Sequence, residues 1–234
     1  VSSDTRGQSN VVGVAILLGV TVLALGTVTA SVGTLIETNA AAADANRVAA
    51  DLDDAIQPVR TTGTRVGAVS FTDGTLATES RTVRVLNESG TVFQRDAGAV
   101  RFQSGSYRVT ALAGAITAGA GDGRFTRSPP ISVGDGVLVV GVPVLSGSLD
   151  ASGETHVRVR TRVTHDRRTL GSGQFRVAVE TRRPGPWEDF FERENATVSH
   201  RDFDGDGVES VVAAFPGNRT GYVVVHRVEV STDG

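Results

Sequence analysis

Between Gly7 and Ile36 the chain carries no charged residue, a run of 30 positions with an apolar centre from Val11 to Leu25. As a helix rising about 1.5 Å per residue the run reaches about 45 Å. A membrane-spanning helix needs roughly 20 mainly apolar residues to cross a hydrocarbon layer about 30 Å thick. Gly13, Gly19, Gly26 and Gly33 interrupt it. Small residues are tolerated in membrane helices and let neighbouring helices approach closely. The pattern then changes without a break. In residues 37–57, "ETNAAAADANRVAADLDDAIQ", the positions Ala41, Ala45, Val48, Leu52 and Ile56 recur at three- and four-residue spacing. Asp44, Arg47, Asp51 and Asp54 fall largely elsewhere around the wheel. This is an amphipathic helix with one wetted face, and Pro58 ends it. The expectation is one helix, or two nearly continuous ones, over Asn10–Gln57. A helix of that length has to stand as a stalk or pack against copies of itself.

Hydrophobicity leaves three readings open. A secretory signal has an apolar stretch of 7–15 residues and a small-residue cleavage site; Val11–Leu25 fits, with "TASVG" or "NAAAADA" as the cut. A plain N-terminal anchor needs only the apolar run. The third reading uses the residues at its head. "RGQSNVVGVAILLGVTV" resembles the class III signal of archaeal type IV pilin-like proteins: a short polar leader, a basic residue and a small residue at the cut, then a hydrophobic helix. On that resemblance Arg6-Gly7 ends a leader of residues 1–7, and Gln8 is the first mature residue. Asn10 stands where many archaeal members carry proline, and Val12 where bacterial pilins usually carry glutamate. The resemblance implies that a prepilin peptidase cuts between Gly7 and Gln8. The helix bearing Val11, Val12, Gly13, Ile16, Leu17, Leu18 and Gly19 is then kept and bundles with other copies in a filament.

After Pro58 the period becomes twofold. "HVRVRTRV" puts Val157, Val159, Thr161 and Val163 on one face and Arg158, Arg160 and Arg162 on the other. "GQFRVAVET" and "GYVVVHRVEV" alternate in the same way. Shorter candidates are Arg65–Phe71, Arg81–Leu86, Ala99–Phe102, Tyr107–Leu112, Gly136–Val142 and Ser210–Phe215. Glycine turns separate them at Asp73-Gly74, Ser89-Gly90, Gly121-Asp122-Gly123, Gly134-Asp135-Gly136 and Gly171-Ser172-Gly173. With 28 glycines and 5% aromatic residues, this argues a mainly antiparallel β-sandwich or barrel. "PGPWEDFFEREN" breaks the alternation: Trp187, Phe190 and Phe191 share one face of a short helix begun at proline. The fold class expected is α+β: a long N-terminal helix, transmembrane then amphipathic (residues 8–60), followed by a β-rich domain with one short helix (residues 61–234).

"DFDGDGVES" is the sharpest local motif. Asp202, Asp204 and Asp206 alternate and Gly207 follows, as in the first half of an EF-hand-type calcium loop. Alternate carboxylates converge on one hard cation, making Ca2+ the one candidate cofactor. The position that should supply a bidentate acid is Ala213. The alternative is a solvated acidic turn. Three sequons, at Asn87, Asn195 and Asn218, are candidate glycosylation sites on an exported surface.

The chain has no cysteine, so disulfides, thiolate metal sites and cysteine nucleophiles are excluded. A net charge of −3 is too weak to argue for nucleic acid. All 23 basic residues are arginine, as a GC-rich coding sequence or a high-salt or extracytoplasmic setting would produce. No nucleophile elbow, HExxH, phosphate loop or dinucleotide fingerprint occurs. His156, His165, His200 and His226 are scattered. The expectation is therefore a non-enzymatic surface protein. It is a filament subunit with the membrane, the peptidase and other copies as partners, or else an anchored binding module or a secreted β-domain. Its C-terminal domain is expected to be extracellular.

Overall fold

The computed structural model describes residues 6–56 and 62–233, with side chains over 13–55 and 62–230. The chain opens with one unbroken helix, α1 (Arg6–Ile56). Pro58 and residues 1–5 of the expected leader lie outside the described residues. Contacts divide the chain into two compact units, residues 1–40 and residues 41–234. The last four turns of α1 thus belong with the β domain.

Sixteen strands follow among the described residues: β1 (Gly63–Phe71), β2 (Thr75–Glu79), β3 (Thr82–Asn87), β4 (Gly90–Asp96), β5 (Ala99–Ser104), β6 (Tyr107–Leu112), β7 (Ala115–Ala120), β8 (Arg124–Arg127), β9 (Ile131–Gly134), β10 (Val137–Ser146), β11 (Ala151–Ser152), β12 (Thr155–Gly173), β13 (Arg176–Glu180), β14 (Thr197–Arg201), β15 (Ser210–Ala214) and β16 (Arg219–Asp233). A short helix, α2 (Gly185–Arg193), lies between β13 and β14. The strands form three sheets, in the orders β1-β12-β16-β10-β9, β11-β2-β5-β6-β7-β8 and β14-β15-β13-β3-β4. Pairing is antiparallel except between β10 and β16. The mainly antiparallel β domain with one short helix is as the alternation predicts.

The first sheet serves two cores. On β16, Val223 and Val225 join a core with Phe93, Val177, Trp187 and Phe191. Val228 and Val230 join a second core with Phe71, Phe102 and Ile116. Side chains alternate across a strand, so odd and even residues of β16 serve opposite faces, and the switch falls at Val225–His226. The first core lies between this sheet and the third, with α2 laying Trp187, Phe190 and Phe191 into it.

The second core is closed by α1. Ala45, Val48, Ala49, Leu52 and Ala55 are buried in it against β1, β5 and β12. A Cβ placed on Gly67 would meet that of Ala55 at 3.1 Å, so a larger residue there would make the helix or β1 give by a few tenths of an ångström. Thr161 donates its hydroxyl to the Ala55 carbonyl at 3.1 Å.

Two details depart from the sequence reading. Asp44 is not on the wetted face: it is 3% exposed. Its carboxylate accepts the amides of Thr72 (3.0 Å) and Asp73 (3.1 Å), and Asp51 accepts the Ser70 amide at 2.9 Å. The end of β1 and the bend after it have backbone donors that must be satisfied; Asp51 serves Ser70 in the strand and Asp44, seven residues earlier on the helix, serves the bend. The second departure is Gly171-Ser172-Gly173, which is not a turn. These residues end β12, after a register shift between Thr169 and Gly171, paired to Arg219–Gly221.

Candidate functional site

The first candidate is the apolar half of α1. Val14, Ile16, Leu17, Leu18, Val20, Val22, Leu23, Leu25, Val28, Val32, Leu35 and Ile36 are each at least half exposed. Among the described residues the only other exposed large aliphatic side chains are Val66 and Val137. Covering each is worth up to about 1.5–3 kcal/mol, so this segment belongs out of water. Its polar groups are prepared for that. The hydroxyls of Thr21, Thr27, Thr29, Ser31, Thr34 and Thr38 each donate to a carbonyl three or four residues back, at 2.7–2.9 Å. Every one of these donors is satisfied within the helix, as an apolar phase requires. By length and composition this helix can cross a membrane. A Cβ on Gly13, Gly19, Gly26 or Gly33 would meet nothing within 4 Å, so these flanks are open for a close neighbour. Gly7, Gln8, Val11 and Val12 lie in the first turns of α1, ahead of the described side chains.

The second candidate is the acidic loop between β14 and β15. Asp202, Asp204 and Asp206 bring carboxylate oxygens within 4.8 Å of one another, all exposed. Such a cluster can coordinate a divalent cation. Gly207 has φ +80°, a left-handed turn that glycine makes without strain. Asp202 accepts the amides of Gly205 (2.8 Å), Gly207 (3.1 Å) and Asp204 (3.3 Å). The Gly205 and Gly207 amides lead in holding its carboxyl below the ordinary range. Asp206 accepts the Val208 amide at 2.8 Å. Ala213 is fully buried in β15: the chain leaves the loop into a strand, and no twelfth-position ligand exists.

The loop has a structural anchor as well. Asp204 pairs with the buried Arg84 at 3.0 Å, and the Phe203 ring carries the guanidinium groups of Arg84 and Arg201 at 4.8 and 4.7 Å from its centre. Glu180, 4% exposed, lies 3.9 Å from Arg84. Burial above all, and then the Asp204 and Asp206 charges, outweigh the Thr82 amide and Arg81 and push its carboxyl up. A cation at the loop would relieve that repulsion.

The sequon asparagines sit apart. Asn195 and Asn218 are exposed and Asn87 is half-buried at the end of β3, where its side-chain oxygen accepts the Ser89 amide at 2.9 Å. Asn195 has φ +58°, a conformation asparagine tolerates better than most residues, so the fold alone gives it a reason to be there. Of the Arg stripe, Arg158, Arg160 and Arg162 are exposed on β12 as alternation predicts.

Two features escaped the sequence reading. Arg183, 4% exposed, donates to the carbonyls of Arg108 (3.0 Å), Gly119 (3.0 Å) and Gly121 (2.9 Å), tying the connection between β13 and α2 to the β6–β7 hairpin and the turn after it. His165 and His226, 61 residues apart, are direct cross-strand partners with their Nδ1 atoms 2.6 Å apart. Nothing local in sequence signals either.

No curated protein and no solved structure matches the chain. One family does, described as "Family of unknown function (DUF7289)", and it matches residues 6–231. That span takes in both α1 and the β domain, from the first helical residue to the last strand, and the chain belongs to this family.

Proposed function

We propose that this protein is a structural subunit of a type IV pilus-like surface filament, processed by a prepilin peptidase between Gly7 and Gln8 and assembled through α1. The observation that carries the reading is the division of labour along one unbroken helix. Its first half is apolar and exposed, with its hydroxyls satisfied internally. Its last turns are built into a β-domain core. A cleaved secretion signal has no reason to continue into the fold it releases, and a cut after Ala41, Ala42 or Ala43 in "NAAAADA" would remove the buried Ala41 and fray the turn that carries Asp44 and Ala45. A helix kept for life as both membrane stop and assembly rod accounts for both halves. The work is association, not catalysis, and the β domain faces the outside of the cell, where Asn87, Asn195 and Asn218 are available as glycosylation sites. The test is N-terminal sequencing of the protein exported from cells carrying a prepilin peptidase. Gln8 as first residue, and loss of processing in Gly7→Phe, are expected. A mature start near Ser31 or Asn39 overturns the reading in favour of secretion, and an uncut chain in favour of a plain anchor.

A second reading concerns the acidic loop: Asp202, Asp204 and Asp206 hold Ca2+. The mutual approach of three exposed carboxylates supports it; with so few protein ligands the affinity belongs to the weak range of about 10⁻⁴–10⁻³ M. Calcium titration of the full chain, with loss of binding in Asp204→Asn, tests it; no heat at millimolar calcium removes it.

A further inference from the structure

The geometry points to a transition-metal site at His165 and His226, formed by two imidazoles of neighbouring strands, for an ion of the zinc or copper(II) class. The inference is independent of the filament reading and of the acidic loop, whose oxygen ligands suit a hard cation.

The pair is held by the backbone. His165 of β12 and His226 of β16 face each other in antiparallel register, inside a ladder that runs without a shift from Arg158↔Asp233 to Thr169↔Tyr222. Directly opposed residues of such a ladder have close Cβ atoms and a fixed relative direction. The rings meet edge to face, 86° apart with centres 4.8 Å apart, and it is the two Nδ1 atoms that converge, at 2.6 Å. Asp166 and Arg227, the next residues on each strand, fall on the opposite pleat face by alternation.

Two nitrogens bound to one tetrahedral ion at 2.0–2.1 Å lie about 3.3 Å apart. The pair therefore has to open by about 0.7 Å from its present contact. His226 is buried at 8% exposure, whereas His165 is exposed and free to make the adjustment. Without metal the 2.6 Å contact needs one Nδ1 to donate its hydrogen and the other to accept it. With metal, the donating ring carries its proton on Nε2 instead, and both Nδ1 lone pairs face the ion; when both rings are neutral, no proton has to leave. His226 also lines an open cleft of about 370 Å³ with Arg127, Ser128, Pro130 and Ser132, and His165 is itself exposed to solvent, so water can reach the pair and fill the remaining coordination positions.

The test is titration of the chelator-stripped full chain in detergent with Zn2+ by calorimetry and with Cu2+ by electron paramagnetic resonance. One ion per chain is expected, with hyperfine structure from two imidazole nitrogens on copper. His165→Asn, an exposed position that leaves the fold intact, weakens binding by at least about ten-fold. Asp202→Asn and His200→Asn leave it unchanged. The inference is overturned by an absence of saturable binding, by a site that survives His165→Asn, or by a copper spectrum with a single imidazole nitrogen.

Discussion

Replacing Leu52 and Leu17 by alanine, one at a time, puts opposite demands on the two halves of α1. Leu52 is 0% exposed and lies in the second core with Val48, Val69 and Phe102. Buried leucine-to-alanine changes cost about 2–5 kcal/mol, from lost transfer energy and the cavity left behind. This site belongs in the upper half of that range, because Ala45, Ala49 and Ala55 around it are already small and offer little to collapse into the space. Leu17 is 68% exposed and belongs to neither core cluster, so its truncation changes β-domain stability by less than about 0.5 kcal/mol. Denaturant unfolding of the full chain in detergent measures both. Trp187, 1% exposed in the first core, is the natural fluorescence probe. A loss of 2 kcal/mol or more for Leu52→Ala with none for Leu17→Ala is the expected result. Equal effects, or a silent Leu52→Ala, would refute the assignment of the last turns of α1 to the β domain.

Other consequences follow from the same contacts. Asp44→Ala strips the Thr72 and Asp73 amides of their acceptor and lowers stability by about 1–3 kcal/mol, with Asp44→Asn milder, both read in the same unfolding assay. Arg183→Leu takes the guanidinium donor from three carbonyls and costs about 2–4 kcal/mol; a cost no larger than that of a surface substitution would contradict its bridging role. Burial works to raise the Asp96 carboxyl, but the Ser80 hydroxyl, the Gly98 and Arg81 amides and the Arg81 charge outweigh it and hold it below the ordinary range. A depressed carboxylate contributes stability that is present above its unfolded value of about 3.9 and lost as pH falls through its lower folded value. Asp96→Asn should therefore flatten stability against pH below about pH 4, and an unchanged slope would show that Asp96 is not a source of it.

Much of this fold is written locally. The three- and four-residue spacing from Ala41 to Leu52 is the buried stripe of α1, and the twofold spacing of Val159, Thr161 and Val163 is the buried face of β12. Asp44 was legible too, since it lies four residues before Val48 and eight before Leu52, in phase with the apolar stripe; its charge disguised its position. The second half of β12, Thr164–Gly173, was not legible. It is exposed on nearly every residue, so no alternation marks it, and it is a strand only because β16 pairs with it. Sharing of the first sheet between two cores, the Arg183 bridge and the His165–His226 contact all depend on register between distant strands, which composition and periodicity do not encode. At the acidic loop the ligand spacing was legible, but the Arg84 anchor came from a strand 120 residues away.

The central claim, that copies associate through the apolar half of α1, has a direct measurement. The chain contains no cysteine, so single cysteines placed one at a time from Val14 to Val28 report contacts between copies without background. Oxidation in the assembled or membrane-embedded state should give disulfide-linked dimers that rise and fall with a period of three to four residues. Uniformly monomeric chains at every position, in protein that is exported and folded, would contradict assembly through this helix.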